Sequence, residues 1–168
     1  MPESIFFYCV ATIAILSAIM VITCKNPINS ALSLVLTFFC LAVFYVMLHA
    51  PFLAAVQVMV YAGAIMVLII FVIMLLNIQS ETIKKSAHGI VVGVAIGLAI
   101  FCETGYLLSS GAITESRGPM DQALIAKVGH TELIGRAMFG DFLLPFEITS
   151  LLLLAAIIGA VVLSKKKE

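Results

Sequence analysis

Few side chains in this sequence can hold or pass a proton, and their spacing limits the chemistry they support. Gln57 and Tyr61 are the strongly polar residues of the apolar run Phe52–Leu76, and they stand four residues apart. On a helix that spacing gives one shared face. Tyr61 falls near the middle of the run, two residues before Gly63. A phenol at that depth needs a hydrogen-bond partner or a water. Read as chemistry, Tyr61 is a station on a proton path; read as packing, it is a core tyrosine with its hydroxyl satisfied. Glu147 follows Pro145 near the start of the last apolar run. It is either an interfacial acid stabilised by a helix N-terminus or a proton-exchanging acid facing a partner. Glu103 carries the same two readings. Glu81, just past the third run, is a solvated acid within reach of Lys84 or Lys85, a weak pairing if exposed.

Other reactive types give less. Cys9, Cys24, Cys40 and Cys102 have no Cys-x-x-Cys spacing, so metal or cluster ligation is not indicated; they read as small buried packing residues. His49, His88 and His130 are isolated in connections, as surface or interface residues. No phosphate-binding glycine loop, Gly-x-Ser-x-Gly or His-Glu-x-x-His occurs. The chain is expected to carry no catalytic centre, cofactor site or metal of its own.

The elements that position these residues follow from composition. Of 168 residues, 63% are hydrophobic and 11% charged, and mean hydropathy is +1.23. A soluble domain is roughly half apolar and about a quarter charged. That difference excludes a soluble globule, a disordered chain and a disulfide-stapled module. Nine basic residues balance nine acidic ones without a basic patch, which argues against nucleic-acid binding. The fold class is all-α: one integral membrane domain over 1–168 with five transmembrane helices. The spans are about 5–23, 31–48, 52–76, 89–108 and 142–163, each near the ~20 residues a helix needs to cross hydrocarbon. Alternating barrel strands do not fit, because Ala64 to Leu76 is apolar at every position.

Met1-Pro2-Glu3-Ser4 has no basic n-region, so the first span reads as a retained helix with Ser4 as N-cap. Pro27 marks the stop between the first two spans. Residues 109–141 form the one sizeable extramembrane loop, with an amphipathic stretch near Asp121 to Val128. Lys25, Lys84, Lys85, Lys165, Lys166 and Lys167 fall on one side, against Arg117, Lys127 and Arg136 on the other. The lysine-rich side is therefore cytoplasmic, giving an outside N-terminus and an inside C-terminus. Gly89, Gly93 and Gly97 recur every fourth residue and form a close-packing face. That face docks either a partner or a helix of the same chain.

Gln57-Val-Met-Val-Tyr-Ala-Gly-Ala-Ile and its continuation to Asn77 resemble the third helix of the J subunit family of proton-pumping NADH:quinone oxidoreductase (respiratory complex I), to which mitochondrial subunit 6 is related. Lys25-Asn26-Pro27 and the run Pro145 to Leu163 are similar to that family's first turn and last helix. The resemblance covers residues 1–108 and 140–168.

The resemblance implies a non-catalytic membrane-arm subunit, beside the A, H and K subunits in the cell (inner) membrane. FMN and iron–sulfur clusters belong to the complex's peripheral arm, and the complex passes electrons from NADH to quinone while exporting protons. It implies a π-bulge around Tyr61 to Met66 that can relax to α-helix. Closing it would turn one half of the helix against the other, so that Tyr61, Met66 and Leu68 change places around a lateral water path. Gln57, Tyr61, Gly63 and Met66 are then the gate, Glu147 a relay candidate and Glu81 a cytoplasmic-end acid. The alternatives are a J-type subunit of a related complex with another electron donor, a purely structural membrane-arm subunit, and a small independent transporter.

Overall fold

The computed structural model describes residues 2–76, 87–110, 125 and 127–165. Five helices are long and apolar enough to span a membrane, and there is no strand among the described residues. They are α1 (Pro2–Thr23), α2 (Pro27–Met47), α3 (Pro51–Leu76), α4 (Ala87–Ser109) and, after the short α5 (His130–Phe139), α6 (Leu143–Ser164). The expected spans are recovered within a few residues. Glu81, Lys84, Lys85 and most of the stretch Asp121 to Val128 lie outside the described residues.

Two terminus expectations change. Ser4 is not an N-cap, because α1 already begins at Pro2. Pro27 does not end α1, which stops at Thr23; it opens α2 at the first helical position. There its missing N–H costs nothing and its fixed φ suits the helix. Asn26 caps the helix, its Oδ1 accepting from the Ile28 N–H at 2.9 Å.

The chain forms two compact units, Met1–Gly118 and Pro119–Glu168. In the first, α2 lies between α1 and α3 and packs on both. Most of the buried residues along these helices are small: Ala31, Ser33, Cys40 and Ala42 on α2, Ser17 on α1, Ala54 and Ala62 on α3; Val10, Gln57 and Met66 are the larger ones. Apolar lipid supplies little drive for helices to associate, so close backbone approach and interhelical hydrogen bonds hold them. Ser17 is 1% exposed, and its hydroxyl lies 2.9 Å from that of Thr37 across the α1–α2 contact. Thr37 also donates to the Ser33 carbonyl one turn back, so each hydroxyl is satisfied within the bundle. Phe7 packs on Phe44 at 5.5 Å between ring centroids.

The α2–α3 turn is a Schellman motif. The Ala50 N–H donates to the Tyr45 carbonyl at 2.9 Å and the His49 N–H to the Val46 carbonyl at 3.0 Å. His49 takes the left-handed position at φ 57°, which glycine usually fills, and Pro51 then starts α3. A left-handed non-glycine residue costs roughly 1–2 kcal/mol. His49→Gly is therefore expected to raise the denaturation midpoint of the assembled subunit, and His49→Val to lower it. A midpoint unmoved by either would show that the turn is not limiting.

α4 presents every described side chain from 91 to 110 outward, and Gly93 and Gly97 face open space. The expected extramembrane loop contains a ten-residue helix, α5, near its end.

Candidate functional site

α3 is one apolar helix with a change of pitch inside it. After Val56 the α-helix gives way to a π-helical segment, Gln57–Ile65, before α-helix resumes at Met66. The Met66 N–H donates five residues back to the Tyr61 carbonyl, the signature bond of the widened turn. The segment's strongly polar side chains are a single amide, Gln57, and a single phenol, Tyr61.

The wider turn changes which residues face α2. The buried residues of α3 are Ala54, Gln57, Ala62 and Met66. From Gln57 to Ala62 the step is five, where an α-helix would step three or four. Tyr61, four residues beyond Gln57, is displaced from the buried line and stands 46% exposed. The common face expected for Gln57 and Tyr61 rests on α-helical spacing, and the π turn removes it. Tyr61 keeps one edge against the bundle: its ring meets Phe38 of α2 at 5.8 Å and 65°. Met66 is 1% exposed, while Leu68 is 61% exposed on the outer side with Tyr61.

Gln57 is 7% exposed, at the first residue of the π segment. Gly63 is half-buried beside Ala62. A Cβ at Gly63 would lie 3.1 Å from the Val58 carbonyl oxygen, so any other residue forces that carbonyl to give by a few tenths of an ångström. Gln57, Tyr61 and Gly63 thus lie in one π-helical segment of about two turns, and Met66 directly follows it. Ala62, a small residue beside Gly63 that leaves room for a rotation, belongs with them, as does Phe38, which was not singled out from sequence. A phenylalanine within a largely apolar run carries no signal of its own.

Of the other expected site residues, Glu147, Glu103 and Gly89 belong to other elements. Glu147 is exposed in the second turn of α6, in the second compact unit, with its backbone carbonyl accepting from Ser150 Oγ at 2.7 Å. Glu103 is exposed on α4. Glu81 lies outside the described residues, and Gly89 is within α4. The cysteines are not uniformly buried packing residues: Cys40 is buried, Cys24 half-buried, and Cys9 and Cys102 exposed on outward helix faces. No group of three or more metal-binding side chains assembles among the described residues. His49 is exposed and His130 half-buried, its Nδ1 buried without a hydrogen-bond partner among the described residues.

Residues 17–163 match the family described as NADH-ubiquinone/plastoquinone oxidoreductase chain 6. The chain is 34% identical to NADH-quinone oxidoreductase subunit J of Rickettsia typhi, over 98% of this chain and 81% of that one. It is 34% identical to the protein of the same description from Pseudomonas aeruginosa, over 92% of each. It is also 35% identical to the chloroplast NAD(P)H-quinone oxidoreductase subunit 6 of Physcomitrium patens, over 99% of this chain and 86% of the relative.

Proposed function

Because the chain belongs to the chain 6 family of NADH-ubiquinone/plastoquinone oxidoreductases, we propose that its third helix gates a lateral water and proton path in the membrane arm of the complex. Membership makes it a multi-pass membrane subunit, the J subunit, of an enzyme complex that moves electrons from NADH to quinone and couples this to proton translocation. In this reading the chain itself is non-catalytic. FMN and iron–sulfur clusters lie in the peripheral arm, and the A, H and K subunits pack beside this one. The complex sits in the inner membrane, with the N-terminus of this chain outside and its C-terminus in the cytoplasm.

The observation that carries the reading is the π turn Gln57–Ile65, with Ala62 and Met66 buried and Tyr61 half outside. A regular α-helix continuing from Gln57 would bring Tyr61 and Ile65 into the buried line in place of Ala62 and Met66. The two registers therefore present different groups, a phenol in one and a thioether in the other, to the same neighbours. Met66 is compliant enough to exchange places, and Gly63 leaves room for the turn. A change in hydration beside Tyr61 then makes or breaks a relay whose other members are Gln57, Glu147, the candidate acid Glu81 and groups of neighbouring subunits. Bound quinone biases the register only through a difference in affinity for the two packings.

Tyr61→Phe keeps the ring against Phe38 and removes the hydroxyl. Losing one hydrogen-bonded station of about 1 kcal/mol is expected to slow quinone-dependent proton pumping about fivefold, measured in proteoliposomes with NADH as donor. Unchanged pumping would take the phenol out of the relay, and failure of NADH to drive the purified complex would favour another donor. Glu147→Gln is expected to lower pumping about tenfold if the carboxylate passes protons; wild-type pumping would return Glu147 to an interfacial anchor.

A further inference from the structure

The unit Pro119–Glu168 holds an element that the gate does not use. On α5 the side chains of Thr131, Glu132 and Arg136 are exposed, while Leu133, Ile134, Ala137 and Met138 are half-buried on the other side. Arg136 Nη2 donates to Glu132 Oε1 at 2.7 Å, an exposed pair one turn apart. Ten residues with an ion pair, a threonine and a histidine are too polar to enter hydrocarbon. The opposite side is too apolar to lie free in water.

The depth of this helix is fixed by the span after it. α6 is a membrane span that starts at Leu143, and α5 ends at Phe139. The turn between them is closed by the Phe142 N–H donating to the Ala137 carbonyl at 3.0 Å. Phe139 and Phe142 stand 68% and 59% exposed there, and the Phe139 ring lies 5.1 Å from that of Phe146 on α6. α5 therefore ends within about one helical turn of the point where α6 enters the bilayer.

We propose that α5 is an interfacial helix whose Leu133–Met138 side rests on phospholipid at the glycerol and upper acyl level, with Glu132 and Arg136 turned to water. An amphipathic helix held at that depth buries its apolar side roughly 5–10 Å into the headgroup boundary. Glu132 and Arg136 neutralise each other, and the exposed Lys127 and Asp141 flanking the helix are of opposite sign, so the described charges around it carry no excess to recruit an anionic headgroup or an oppositely charged protein. The fitting occupant is a zwitterionic phospholipid. Its acyl region would meet the shallow hollow lined by Ile125, His130, Leu133, Ile134 and Ala137.

The test uses the whole complex in phosphatidylcholine nanodiscs, with a photo-reactive benzoylphenylalanine at Ile134 or at Thr131. Irradiation is expected to give a phosphatidylcholine adduct at 134, at least about fivefold more abundant than at 131. A polypeptide adduct at 134, no lipid adduct there, or equal adducts at the two positions would overturn the proposal. If the bulky group blocks assembly, Ile134→Cys carrying a small fluorophore reads the same contact. Brominated phosphatidylcholine should then quench it at least about twofold, and unquenched fluorescence would count against the interface.

Discussion

Gly63→Leu is expected to reduce quinone-dependent proton pumping to less than about a tenth of wild type, while NADH oxidation by a soluble artificial acceptor stays intact. The glycine lies half-buried in the π turn, next to the buried Ala62. Even a Cβ there comes to 3.1 Å from the Val58 carbonyl oxygen, a backbone atom that cannot swing away as a side chain would. A full leucine adds branched carbons to the side of the helix that must move. A one-residue change of register turns the half beyond the bulge by roughly 100°, sweeping position 63 across its neighbours. Overpacking of this kind costs about 1–3 kcal/mol. Applied to one of two interconverting packings, that changes their ratio about five- to 150-fold. The artificial-acceptor rate separates lost coupling from lost assembly. Gly63→Ala, with the Cβ contact alone, is expected to fall between wild type and leucine. Wild-type pumping with leucine at 63 would remove the gate.

The membrane fold was legible because its physics is one-dimensional. Hydrocarbon thickness sets span length, and the five apolar runs match the five long helices. Helix starts were less legible where two signals overlap. Asn26-Pro27 reads equally as the end of one helix and the beginning of the next, and only the Asn26 side-chain bond to Ile28 decides for the beginning. The left-handed His49 carried no warning, since glycine is the usual sign of that conformation. Helix α5 was hidden because its apolar strip is short and comes after a loop rather than within a long periodic pattern. The proposed gate residues Gln57 and Tyr61 stood out by polarity alone. Their relative placement did not, because α-periodicity assigns both to one face and the π turn parts them. No local residue pattern within Gln57–Ile65 dictates a wide turn; that expectation came from family resemblance, and the small Ala62, Gly63 and Ala64 only permit it.

Ala62→Leu acts on the same equilibrium from the other side and is expected to favour the regular helix. Ala62 is 6% exposed and occupies the buried line between Gln57 and Met66 only because the turn is one residue wider than an α-helical one. Three extra carbons at that point press on α2, against which this segment packs, and the small residues of that contact leave no space to receive them. The cost, about 1–3 kcal/mol, falls on the π register. In the α register position 62 rotates off the buried line, so the leucine is accommodated while Tyr61 and Ile65 turn inward. The population of the π form should fall about five- to 150-fold, and pumping with it. Structure determination of the Ala62→Leu complex should find α-helical bonding through residue 66, with the Met66 N–H donating to the backbone carbonyl at position 62 in place of that of Tyr61. Met66 should also be exposed. A variant that keeps the Met66-to-Tyr61 bond and pumps at the wild-type rate would mean that α2 does not select the register. A variant that straightens the helix and still pumps would mean that the register does not control the proton path.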